Sequence, residues 1–85
     1  MTRCIVVFKS KTETMKFIDL MGNRGLFAKS VSTPKEAKIG CGLSAEISYS
    51  DRLKAMQIIK SNNFKSFYSI LLIEKYDNRV SMTKI

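Results

Sequence analysis

The chain of 85 residues has no histidine and no tryptophan, one proline, two cysteines and four glycines. Without histidine there is no Cys-His catalytic pair and none of the usual zinc ligand sets, and two cysteines alone do not make a metal site. No metal or cofactor is expected. Acids are also scarce: Glu13, Asp19, Glu36, Glu46, Asp51, Glu74 and Asp77 are well separated and suggest no paired general acid and base. There is no phosphate-binding glycine loop. Apolar runs fall short of the ~18 residues that span a bilayer, and the start, Met1 to Phe8, reads as a strand and not as a signal peptide. The expectation is one cytoplasmic domain with no membrane segment.

Positive charge is plentiful. Fifteen Lys/Arg against seven Asp/Glu give a net charge of +8, which suits anionic partners such as nucleic acid or an acidic protein surface. Cations are spread along the chain, eight among residues 1–42 and seven among residues 43–85. A solvated, soluble surface explains them equally well.

The pattern of apolar residues predicts four strands and two helices. Cys4 to Phe8 is β-branched and aromatic, a strand. Ser10-Lys11-Thr12-Glu13 has capping-box spacing, with Glu13 expected to reach back to Ser10. Behind it Met15, Ile18 and Met21, with Thr14 and Phe17 alongside, predict a helix over 11–21 that ends at Gly22, Asn23 and Gly25. A second strand is expected over 26–31. Leu43, Ala45, Ile47 and Tyr49 alternate with Ser44, Glu46 and Ser48, the period of a half-buried third strand. Ser50 or Asp51 can cap a second helix with inner face Leu53, Met56 and Ile59 or Lys60, ended by Asn62 and Asn63. Residues 67–73 give a fourth strand, and residues 76–85 read as a loose polar tail after a domain over 1–75.

The order β-α-β-β-α-β predicts an α+β, ferredoxin-like fold: a four-stranded antiparallel sheet, spatial order 4-1-3-2, with both helices on one face. The other face would be bare. Because residues 67–73 are apolar on both sides, a homodimer formed through that open sheet face is expected. Tyr49, Phe67 and Tyr68 could stack bases on an open sheet, although the basic-Gly-aromatic run of RNA-recognition domains is missing.

The irregular segment 32–42 holds the point of chemical interest, Gly40-Cys41-Gly42. The topology puts the connection between strands two and three at the sheet end where strand one exits, near Phe8-Lys9-Ser10. A helix N-terminus carries roughly half a positive charge, and Lys9, Lys11, Lys35 and Lys38 are close in sequence to that end. Both favour a thiolate, the nucleophilic form of cysteine. Gly40 and Gly42 would expose the sulfur and offer backbone N–H groups to an anion. In the alternative reading the glycines only shape a tight loop and Cys41 fills space as a small hydrophobe. Cys4, at the opposite end of the sheet, is read as a buried structural thiol beyond disulfide reach of Cys41.

The stretch Pro34-Lys35-Glu36-Ala37-Lys38-Ile39-Gly40-Cys41-Gly42-Leu43-Ser44-Ala45-Glu46 resembles a family of very small bacterial domains described as selenium/sulfur carrier-like. Pro34-Lys35 and Cys41-Gly42 carry the likeness, and the opening strand followed by Phe8-Lys9-Ser10 fits it; the resemblance covers about residues 3–75. It implies that Cys41 bears a persulfide or perselenide and passes it to a partner enzyme; by the charge and loop reading above, Lys9, Ser10, Lys11, Lys38, Gly40 and Gly42 would hold the anion. The chain would be a carrier working with a sulfur or selenium donor or acceptor, not a stand-alone enzyme. The rival expectation is a non-catalytic module whose basic surface binds RNA or an acidic protein.

Overall fold

A computed structural model describes residues 2–37 and 42–85. The elements are β1 (Thr2–Phe8), α1 (Lys11–Asn23), β2 (Ala28–Ser32), β3 (Leu43–Ile47), α2 (Arg52–Ser61), β4 (Phe67–Tyr76) and β5 (Arg79–Lys84). Short 3-10 turns occupy Lys35–Ala37 and Tyr49–Asp51. All strand pairs are antiparallel, and the order across the sheet is β2-β3-β1-β4-β5.

The α+β class and the relative order of the first four strands follow the expectation. The four-stranded count does not, and a plain ferredoxin-like description does not fit the whole chain. Residues 76–85 are no loose tail either. β4 runs on to Tyr76, turns through Asp77-Asn78 with Asp77 at φ 49°, and returns as β5. Asp and Asn tolerate the left-handed backbone of a two-residue hairpin. Val80-Ser81-Met82-Thr83 alternates apolar and polar, a strand period masked by its overall polarity.

Helix α1 owes both its ends to local chemistry. The Ser10 hydroxyl accepts the Glu13 N–H at 3.2 Å. At the far end Leu26 N–H donates to Met21 C=O at 3.0 Å and Gly25 N–H to Gly22 C=O at 2.9 Å, with Gly25 at φ +71°. This is the paired-bond exit that a left-handed glycine permits. The buried stripe of α1 is Thr14, Phe17 and Met21, while Met15, expected inward, is 42% exposed. In α2 the inner residues are Ala55, Ile58 and Ile59, and Leu53, also expected inward, is 70% exposed.

Both helices cover one face of the sheet, packing Phe17, Met21, Ala55, Ile58 and Ile59 onto Cys4, Val6, Phe8, Ala45, Ile47 and Ile70. Each large side chain buried there contributes roughly 1.5–3 kcal/mol. Phe8 stands at the middle of an aromatic cluster, with ring centroids 5.4 Å from Phe17, 4.9 Å from Phe64 and 5.8 Å from Phe67.

The opposite face is not bare. Ile5, Val7, Leu71 and Ile73 are buried within the single chain, with Val31, Ala37 and Tyr68 packed against them. Arg3 pairs with Glu46 at 2.9 Å, and the Lys84 ammonium lies 4.6 Å from the Tyr68 ring centre. The apolar surface that was to call for a second copy is therefore already covered, and that reason for a homodimer falls away. Phe67 joins the helical-side core and Tyr68 the other side, so Tyr49, Phe67 and Tyr68 do not form one stacking platform.

Candidate functional site

Segment 34–41 is framed by bonds between its flanks. Ser32 pairs with Leu43 as the last step of the β2–β3 ladder, and Thr33 N–H then donates to Gly42 C=O at 3.0 Å. The Thr33 and Ser44 hydroxyls are hydrogen-bonded at 2.7 Å, and Ser44 is fully buried. The alternation of β3 predicts an outward Ser44; its burial follows from the Thr33 hydroxyl, which satisfies it there. Gly42 has φ +86°, a region that side chains enter only with strain, and its missing Cβ would touch nothing. Its glycine is thus required by backbone conformation and not by crowding.

Of the residues expected at the site, Lys38, Gly40 and Cys41 lie outside the described residues, and Lys9, Ser10, Lys11 and Gly42 within them. The register fixes the ends that can be compared. Val6 pairs with Ala45, so β1 leaves the sheet at the end where β3 enters it. Gly42 and the Lys9-Ser10-Lys11 turn share that end. In the Lys35–Ala37 turn, Ala37 N–H donates to Pro34 C=O at 3.0 Å, and Ala37 packs on the face away from the helices.

The start of α1 is more heavily tied than its sequence suggests. Lys9 N–H donates to Ser66 C=O at 2.8 Å, and Ser10 N–H to Ser66 Oγ at 3.1 Å. Glu13 does not reach back to Ser10 as a capping box would have it. Its carboxylate instead accepts the Ser66 N–H at 2.7 Å, the Lys65 N–H at 3.0 Å and the Ser66 hydroxyl. These donors hold the Glu13 carboxyl below its ordinary acidity range, the Ser66 hydroxyl foremost and the Lys65 N–H next. Ser10 and Glu13 are thereby engaged in holding the α1 entry against the approach to β4. The N–H groups of Lys11 and Thr12, in the first turn, have no helical carbonyl to meet. Ser66, which organises this corner, carries no sequence signal beyond being a serine before a strand.

Cys4 is a free thiol, 1% exposed, in the helical-side core. Burial pushes its pKa up, the Arg52 charge opposes that, and Glu46 adds to it. Such a thiol is a poor nucleophile. Among the described residues no group of His, Cys, Asp and Glu could hold a metal ion. Among the described residues no helix is long and apolar enough to cross a membrane.

The model of a family described as "Putative Se/S carrier protein-like" matches residues 3–69 of the chain. The match takes in β1 through the start of β4, including the whole of segment 34–41, and leaves out β5. No curated protein and no solved structure gives a significant match.

Proposed function

The chain belongs to the family described as "Putative Se/S carrier protein-like", and from that premise we propose that Cys41 takes up a sulfur or selenium atom and delivers it to a partner enzyme. The carrying observation is the family match, which spans the loop that holds Cys41. Two structural facts support the reading. Thr33 and Gly42, which flank segment 34–41, are hydrogen-bonded, and Gly42 lies at the same end of the sheet as Lys9 and Lys11. Cys4, the other thiol, is walled into the core with its proton favoured, so it is unfit for the role.

In the proposed step the Cys41 thiolate attacks the outer sulfur of a donor persulfide, R–S–SH. The S–S bond of the donor breaks, its inner sulfur leaves as thiolate with the electron pair, and Cys41–S–SH results. An acceptor thiolate then attacks the same outer sulfur and Cys41 departs as thiolate. A donor R–S–SeH gives Cys41–S–SeH by the same exchange, and neither step needs a further oxidant. Lys9, Lys11 and Lys38 would stabilise the anions, with Gly40 and Gly42 leaving the backbone open to them.

Intact mass after incubation with a cysteine desulfurase and cysteine tests this. Wild type and Cys4→Ser should gain the mass of one sulfur atom, and Cys41→Ser should gain none. No adduct, or one that persists in Cys41→Ser, refutes the reading. The net charge of +8 favours one rival, a module that binds RNA or an acidic protein. Binding to RNA that falls with salt and is indifferent to Cys41→Ser would support that rival.

A further inference from the structure

We propose that β5 is a docking edge for an extended acidic segment of another protein, which adds to the sheet as a sixth strand. β5 ends the sheet order, and all six of its residues are exposed. Ile85 N–H donates to Ile70 C=O at 2.9 Å, and Lys84 is registered with Leu71. Backbone groups of an antiparallel strand alternate sides. The N–H and C=O groups of Val80, Met82 and Lys84 therefore point away from β4.

Sheet edges are ordinarily guarded by an internal charge, a proline, a bulge or a cover. The two edges of this sheet differ in that respect. β2 is five residues long, has Lys29 within it and is contacted by α1. β5 pairs with β4 in six consecutive steps, and its middle, Val80-Ser81-Met82-Thr83, has neither charge nor proline nor glycine. Val80 and Met82, 48% and 36% exposed, lie on one side, with Met82 directly beside Ile73.

The charges of β5 stand at its two ends, Arg79 and Lys84, and both are positive. A second copy would pair through the same outward groups, Met82 on Met82 and Lys84 on Val80, and would bring two chains of net charge +8 edge to edge, which repel. An acidic strand is instead attracted by both cations, Arg79 on one face of the sheet and Lys84 on the other. The fitting occupant alternates apolar residues, on the Val80 and Met82 face, with carboxylates on the Arg79 face, and binds by main-chain hydrogen bonds. The proposal is independent of Cys41, since β5 lies beyond the residues that the family model matches.

The test is nitrogen-15 NMR of the full chain with two blocked peptides, a triple Glu-Val repeat and a triple Lys-Val repeat. The Glu-Val peptide should shift the Val80, Met82 and Lys84 amides and slow their hydrogen exchange, and the Lys-Val peptide should leave them unmoved. Met82→Pro removes an outward donor without touching the β4 ladder and should abolish the effect. The double variant Arg79→Glu/Lys84→Glu, which spares the backbone, should exchange the two peptides' behaviour. Unmoved β5 amides, an equal response to both peptides, or a free protein that is already dimeric with those three amides protected would overturn the proposal.

Discussion

Glu13 and Ser66, 53 positions apart in the chain, fasten the first turn of α1 to the residues entering β4: the Glu13 carboxylate accepts both the backbone N–H and the hydroxyl of Ser66. Because these donors favour the ionised form, the folded-state pKa of Glu13 lies below the unfolded one. The stabilisation is then present above the unfolded value and is lost as pH falls through the folded value. Urea titrations across the acid range should show wild type losing stability on acidification. Glu13→Gln should be less stable than wild type at neutral pH and flatter through that window. Equal slopes for both proteins would remove the linkage.

The two thiols should differ sharply in reactivity. Cys4 is buried, with its pKa raised by that burial. Under native conditions iodoacetamide should modify Cys41 alone, and Cys4 should react only once the chain is unfolded. Peptide mapping of the alkylated protein decides this, and native labelling of Cys4 at a comparable rate would contradict the core described for it. The carrier reading adds a second demand: the Cys41 rate should rise with an apparent pKa below the unperturbed ~8.5.

Gly42 can be examined apart from the cysteine beside it. Its backbone at φ +86° penalises any side chain, and no neighbour would be struck. Gly42→Ala should cost about 1–2 kcal/mol, the conformational penalty alone, and Gly42→Asn less than that. Chemical denaturation measures both. A cost of several kcal/mol for alanine would mean that contacts, and not conformation, fix the glycine.

The α2 surface offers a paired comparison. Leu53 is 70% exposed and Ile58 fully buried. Leu53→Ser should change stability by less than about 0.5 kcal/mol, whereas Ile58→Ala should cost about 2–5 kcal/mol. Similar losses for the two would show that Leu53 packs against something in solution.

Leu53 also shows where the sequence stops being informative. Its spacing from Met56 fits an inner stripe, yet the helix is rotated so that Ala55, Ile58 and Ile59 face the sheet. Periodicity gives the kind of element, and packing against Cys4, Val6 and Ile70 chooses the rotation. Strong local signals survived: the β-branched run of β1, the Ser10 cap, and the glycines that end α1. β5 was hidden because its residues are polar and solvent-facing, so that nothing but a short alternation and Asp77-Asn78 announces it. Ser44 and Glu46 looked like a solvent face, but Thr33 and Arg3 supply partners, and Ser44 is buried and Glu46 half-buried. At the candidate site the Gly40-Cys41-Gly42 triplet was readable. The bonding of Glu13 to Lys65 and Ser66 was not, since no pattern within a few residues encodes a contact across the whole domain.

β1 is synthesised before both of the strands that flank it: Val6 lies between Ala45 and Ile70, and Thr2 is matched with Glu74. Its hydrogen-bonding partners, β3 and β4, are made later. During synthesis this apolar strand waits for its second neighbour until β4 has emerged, so the sheet closes through pairings distant in the chain. Topologies of that kind assemble slowly, and a nascent chain stalled before residue 67 would present Cys4 to Phe8 as an adhesive segment to whatever chaperone is at hand.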